Sequence, residues 1–331
     1  MADSILDSPP SDGISSLRFS PVTSDHLLVS SWDSLVRLYD VPRSEVKTSF
    51  THRAAVLSCA FDSTGQFGFS GGLDTWVRKL DLNSEKILVL GAHDSSVASV
   101  VHSKDTNSIY TGSWDQTVRV WDPRMGNPKS LVSTHKQPER VYAMDLMGST
   151  LVVATAGRRI QIWDIRDMSK PRDERESSLK FGTSAIACMT DGTVEGRVAV
   201  EYFDNSSEAH SRKYAFKCHR LAHPEGEFVY PVNALAFHPT YNTFATGGSD
   251  GTVSIWDHSA KKRLRQYPSF GTGISSLAFS GDGKAMAIGV SYNWDLTTEQ
   301  HKEQIRGNKM DSIDIVIRTV GDEVLVSIPP E

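Results

Sequence analysis

Imidazole, hydroxyl and carboxylate side chains recur at matched positions along this 331-residue chain. His52, His93 and His135 each stand a few residues before a short apolar run. After His93 come Thr111, Ser113, Asp115 and Trp121. Such groups could build a nucleophile–base set or ligate a metal. The spacing points elsewhere. No His-Glu-x-x-His, zinc-ligand spacing or Gly-x-Ser-x-Gly is present. The glycine-rich GGSDG, residues 247–251, lies between two strand-like runs and lacks a Lys-Ser/Thr ending. It reads as a hairpin turn rather than a phosphate loop. In the third repeat, His93 can bridge Asp115 to the hydroxyl of Thr111 or Ser113, and the Trp121 indole N–H finds its partner in the same buried chain. These residues are therefore read as structural, with no catalytic residue, no metal and no cofactor expected.

A second group of residues suits binding. Trp32 and Trp114 occupy a polar turn position where other repeats carry Leu73 or Ser249. A turn indole offers a large contact area at small entropic cost, which favours Trp in binding hot spots. The competing reading is packing against a neighbouring loop. Around the fifth repeat, EGRVAVEYFD and KYAFKCHR supply Arg197, Lys213, Lys217 and Arg220. Clustered cations near two indoles suit an acidic or phosphorylated peptide, because guanidinium forks pair with carboxylate and phosphate. The competing reading there is a surface cluster neutralised by Glu195 and Glu201.

The elements that must position these residues repeat. SLVRLYD ends at Asp40, TWVRKLD at Asp81, TVRVWD at Asp122, RIQIWD at Asp164 and TVSIWD at Asp257. The first three steps are 41, 41 and 42 residues. A period of about 40–45 residues ending in Trp-Asp marks four-stranded propeller blades. Each repeat opens with an apolar strand such as GISSLRFS or AVLSCAFD, and a second strand runs into a small-residue turn. Period-two alternation rich in Val, Ile and Thr predicts antiparallel strands throughout. EGRVAVEY and DSIDIVIRTV complete the count. The expected fold is all-β, one seven-bladed propeller over residues 12–331 behind a tail of residues 1–11. ISSLRFS or VLVSI is expected to close the ring.

Composition sets the outer limits. The chain is 39% hydrophobic and 23% charged, with a net charge of -5. An acidic balance is the reverse of the usual nucleic-acid binder. Three scattered cysteines fit a reducing compartment. The start, MADSILDSPPSDG, lacks an apolar signal core, and no run reaches the ~18 apolar residues of a membrane span. A cytosolic or nuclear protein is expected.

From PPSDGISSLRFSP through LLVSSWDSLVRLYDVP, TGSWDQTVRVWDPR, TAGRR, RESSLKF, EGRVAVEYFD, KYAFKCHR and TFATGGSDGTVSIWD, the chain resembles the spindle-assembly-checkpoint WD-repeat proteins, the third budding-uninhibited-by-benzimidazole family. The resemblance implies a seven-bladed kinetochore adaptor without catalytic activity, nuclear, at kinetochores in mitosis and partly cytoplasmic. It implies binding to a short acidic motif of the checkpoint kinase and its pseudokinase-like relative. It also implies docking to phosphothreonine motifs of the outer-kinetochore scaffold, and entry into the mitotic checkpoint complex that inhibits the anaphase-promoting complex. By residue match, Trp32, Trp114, Arg158, Arg159, Arg197, Lys217 and Arg220 are the peptide-contacting positions. Neither membrane nor nucleic acid is an expected partner. The related messenger-RNA export factors, which bind a similar acidic motif of a nuclear-pore protein, give the alternative function. The chain departs from the pattern in the fifth repeat. Ile186 to Tyr202 spans 17 positions, against 26 from Val97 to Asp122. A shortened fifth blade is expected there. A polar surface loop is expected over residues 294–311.

Overall fold

Alternation in the sequence becomes alternation in burial. In strand Glu45–Thr51, Thr48 and Phe50 turn inward while Glu45, Lys47, Ser49 and Thr51 face out. Strands with apolar or small residues on both sides, such as Phe67–Gly72 and Thr243–Gly248, are covered on both faces. The structure is a computed structural model that describes residues 3–177, 185–188, 193–194, 199–202, 214–223, 226–292 and 312–321. One three-residue 3-10 turn, Ala156–Arg158, is the sole helical element among them.

Strands in chain order pair antiparallel into four-stranded sheets. The first blade is Ile14–Phe19, His26–Ser31, Leu35–Asp40 and Glu45–Thr51. Blades of the same design follow within residues 56–92, 97–136, 141–176 and 232–267. The last combines Ile274–Phe279, Ala285–Val290 and Asp314–Thr319 with Ser4–Ile5 from the other end of the chain. The expected seven blades are thus corrected to six four-stranded blades among the described residues. In the fifth position Thr193–Val194, Ala199–Tyr202 and Tyr214–Ala215 form a sheet of three short strands. Seventeen residues cannot carry the strands and turns that fill 26 elsewhere. An inserted hairpin, Arg220–His223 with Gly226–Val229, precedes the sixth repeat. The expected loop at 294–311 and the VLVSI run lie outside the described residues.

Neighbouring blades touch through small residues and hydroxyls. A Cβ at Gly71, Gly112 or Gly247 would strike Val97, Val141 or Ile274 of the next blade, so glycine sets the close approach there. Serine hydroxyls accept amide N–H groups across the same seams. Ser58 takes that of Val100 at 3.0 Å, Ser99 that of Met144 at 3.2 Å and Ser276 that of Leu17 at 3.0 Å. The fourth blade has Ala143 where the third has Ser99 and so offers no such acceptor.

The ring closes through residues read from sequence as tail. Ser4 and Ile5 pair with Ile317 and Val316, and Leu6 N–H donates to the Ile315 carbonyl at 2.9 Å. Asp3 forms a two-pronged ion pair with Arg318. Leu6 is buried beside Ile14, Leu17 and Ile315. Closure by ISSLRFS is excluded because that run is the innermost strand of the first blade. Leu6→Ala should therefore cost on the order of 2–5 kcal/mol, as large-to-small core changes do. Urea unfolding would register this as a lowered midpoint, whereas a loose tail would leave the midpoint unchanged.

Candidate functional site

At one end of the ring, the turns between second and third strands of the first, second, third and sixth blades are built the same way. An aspartate carboxylate accepts the N–H two residues on: Asp33 from Leu35 at 3.1 Å, Asp74 from Trp76 at 3.3 Å, Asp115 from Thr117 at 2.9 Å and Asp250 from Thr252 at 3.1 Å. This is the side-chain mimic of a turn that Asp favours. The intervening residues Ser34, Thr75, Gln116 and Gly251 are left-handed, with φ of 64–74°. Their carbonyls face the link into the next blade. Ser34, Thr75, Gln116 and Gly251 accept N–H groups from His52, His93, Gln137 and Phe270 at 2.8–3.0 Å. In the fourth blade Arg158, also left-handed, accepts from Ser177 at 2.8 Å.

Buried side chains brace these turns from below. In the third blade His93 Nδ1–H donates to Asp115 at 2.8 Å, and His93 Nε2 lies 2.7 Å from the Thr111 hydroxyl. The Trp121 indole N–H donates to the same hydroxyl at 2.7 Å. Ser113, the other hydroxyl expected as a partner, instead donates to the Ser95 carbonyl and accepts from Asp115 N–H. The sixth blade repeats the chain with His219, Asp250, Thr246 and Trp256. The second blade substitutes a guanidinium: His52 meets Ser70 at 2.8 Å, and Arg78 pairs with Asp74 at 2.7 Å. His135 joins no such chain and lies against Ser133 and the Trp163 ring.

These geometries bear on the chemistry open to the buried hydroxyl. Thr111 is fully buried and its oxygen already receives an indole N–H, so no substrate carbon can reach it. Among the described residues, no group of three or more His, Cys, Asp or Glu is placed to hold a metal. Burial lowers the His93 pKa, with Asp115 opposing. Burial raises the Asp115 carboxyl, but bonds from His93 and Thr117 outweigh it and hold the group well below the usual carboxylate range.

The predicted binding residues fall unevenly. Trp32 is 42% exposed in the first-blade turn. Trp114 is half-buried, and its indole nitrogen is covered with no hydrogen-bond partner among the described residues. Trp114 is thus less free than an exposed turn side chain. Arg158 is half-buried and ion-paired to Glu176, while Arg159 is exposed at the start of the next strand. Lys217 is exposed two residues from His219, which the chain above fixes at this same end. Arg220 is half-buried in the inserted hairpin. Arg197 and Lys213 lie outside the described residues. The topology therefore brings Trp32, Trp114, Arg158, Arg159 and Lys217 to one rim. The structural role of His219 was missed because the insertion stretches its distance to Asp250 to 31 residues, against 22 from His93 to Asp115. Its matching Thr246, Asp250 and Trp256 were the available signal.

A ring of four-stranded blades braced by His–Asp–Thr–Trp chains defines a WD-repeat β-propeller. The family model "WD domain, G-beta repeat" matches residues 43–79, 84–122 and 216–257. The solved structure of U3-55K superposes with a TM-score of 0.78 at 17% identity, covering 95% of this chain and 98% of its own, which supports the fold alone. The mitotic checkpoint protein BUB3.1 of Arabidopsis thaliana is 53% identical over 88% of this chain and 87% of its own length. The mitotic checkpoint protein bub3 of Dictyostelium discoideum is 41% identical over 88% and 90%. A poly(A)+ RNA export protein of Schizosaccharomyces pombe is 40% identical over 86% and 83%. The chain belongs to the Bub3 mitotic checkpoint family of WD-repeat proteins.

The pKa directions fix how stability responds to acid. A histidine whose folded pKa is lowered leaves the folded state with fewer protons than the unfolded chain. Stability is then full above the unfolded value of about 6.5 and falls as pH drops below it. The depressed Asp115 and Asp74 carboxyls add a further loss below about pH 4. Melting temperature should decline from pH 6.5 to 5, and His93→Gln should flatten that slope while costing on the order of 1–3 kcal/mol at neutral pH. A melting temperature that rises over the same interval would contradict it.

Proposed function

We propose that this chain is a non-catalytic adaptor of the mitotic spindle assembly checkpoint, whose rim of indoles and cations binds acidic and phosphothreonine peptide motifs. Support comes first from Trp32, an exposed indole standing on a turn whose backbone is fixed by Asp33, Arg37 and the link to His52. A rigid aromatic surface at a ring end is what a peptide side chain needs for anchoring. Lys217, exposed at the same end, supplies charge of the opposite sign to such motifs. The family membership gives the biological setting. In that setting the partners are the checkpoint kinase and its pseudokinase-like relative, bound through a short acidic motif. The phosphorylated outer-kinetochore scaffold is a third, and the mitotic checkpoint complex that inhibits the anaphase-promoting complex is the assembly they serve. The protein works in the nucleus, at kinetochores in mitosis, with a cytoplasmic share. The export relative favours one second reading, an export factor that binds an acidic motif of a nuclear-pore protein.

Isothermal titration of an acidic-motif peptide from each source separates the two. Preference for the kinase peptide supports the checkpoint reading, and preference for the pore peptide supports the export reading. Trp32→Ala should weaken the bound peptide by about 2 kcal/mol or more, roughly thirtyfold. Its melting temperature should barely move, since an exposed side chain carries little packing. Trp114→Ala should weaken binding too but lower the melting temperature, because that indole is half-buried. Raising salt should reduce wild-type affinity through screening of the cations. Wild-type affinity in Trp32→Ala would remove the rim from the account.

A further inference from the structure

One guanidinium on this rim has no counterpart in the repeat design. Val56 and Val97 open the innermost strands of the second and third blades. Three residues before each stands an exposed charged side chain, Arg53 in one and Asp94 in the other. Four residues after each turn aspartate stands an arginine, Arg78 in one and Arg119 in the other. In the third blade the set is closed, since Asp94 pairs with Arg119 at 2.8 Å. In the second blade the acid of that pair is replaced by a base. Arg78 is already neutralised by Asp74 at 2.7 Å. Arg53 makes no ion pair or side-chain hydrogen bond among the described residues. Its backbone N–H alone reaches Asp74, at 3.1 Å.

Trp76 holds the extra charge in place. The Arg53 guanidinium lies 4.3 Å from the indole centroid and that of Arg78 lies 5.2 Å from it. Trp76 begins the strand that leaves the second-blade turn, so the cluster sits between the turns of Trp32 and Trp114 at the same end of the ring. Two like charges beside one ring repel, and an acid at residue 53 would remove that cost, as Asp94 does one blade on. A stacked guanidinium also has its orientation set in advance while its N–H fork stays open. Less entropy is then lost when an anion arrives.

We propose that Arg53, stacked on Trp76, is an anion-binding position on the second-blade rim that takes a carboxylate or phosphate side chain of a peptide crossing it. This rests on the peptide-binding reading of the rim but adds a subsite at residues outside those matched to the family. It extends the contact track from Trp32 toward Trp114 through an intervening cation.

Arg53→Asp is the decisive variant, because it rebuilds the pair seen between Asp94 and Arg119. It should fold with an unchanged or higher melting temperature and bind the acidic peptide at least tenfold more weakly by isothermal titration. Arg53→Ala should lose roughly fivefold to tenfold, as removal of one charge-assisted contact does. Trp76→Leu keeps the charge but loses the stack and should fall between wild type and Arg53→Ala. A peptide-free arm titrates inorganic phosphate into nitrogen-15-labelled protein. The Arg53 Nε–H and Trp76 Nε1–H resonances should shift in wild type, and the Trp76 shift should vanish in Arg53→Asp. That result supports the anion site even if no tested peptide binds, in which case the peptide reading alone fails. Wild-type peptide affinity in Arg53→Asp and Arg53→Ala, with phosphate leaving both resonances in place, overturns the subsite. A concurrent loss in Trp32→Ala would then leave the peptide reading standing.

Discussion

The hydrogen bond between a buried histidine and a turn aspartate is the constraint on which the rest of this molecule depends. His93 reaches Asp115, and His219 reaches Asp250, each at 2.8 Å. The aspartate closes its own turn through the amide two residues on. The imidazole ties that turn to a hydroxyl and an indole on two strands of the blade. An unpaired histidine or carboxylate at these depths would cost several times what a formed bond contributes. Turn, link and strands are therefore fixed as one unit, which leaves other side chains on the turn available for other work.

That division of labour explains the placement of the binding residues. The left-handed turn residues pass a carbonyl to the link that leads into the next blade, so backbone carries that connection. Side chains at neighbouring positions are then unconstrained by it. Trp32 uses this freedom fully and Trp114 partly. Where the second blade lacks the indole member, Arg78 takes over the bracing of its aspartate, and Trp76 is free to carry Arg53. Fold-forming and partner-facing residues thus alternate within a few positions of each other.

Much of this was legible in the sequence because the repeats align it. The hydrogen-bond chain of the third blade could be read from His93, Thr111, Asp115 and Trp121, since a single strand spacing governs all four. The same chain in the sixth blade was hidden by an insertion that carries its own hairpin. Ring closure was misplaced because Ser4–Ile5 is too short to show alternation, and only its pairing with Val316 and Ile317 makes it a strand. Seven repeats were counted from strand-like ends, but a terminal motif does not guarantee room for the strands before it, and the fifth repeat lacks that room. The half-burial of Trp114 is encoded in no local pattern. The Arg53–Trp76 stack is likewise a contact between a link and a turn that are distant in sequence.

The central claim is that a rigid brace lies beneath a rim that does the binding. Amide hydrogen exchange of the full chain with and without the acidic-motif peptide tests it most directly. The strands Val97–Ser103, Ser108–Ser113 and Thr117–Trp121 should exchange slowly and identically in both states. New protection should appear only at the turns of Trp32, Trp76 and Trp114 and beside Lys217. Peptide-induced change within the braced strands, or protection confined to the opposite end of the ring, would contradict the account.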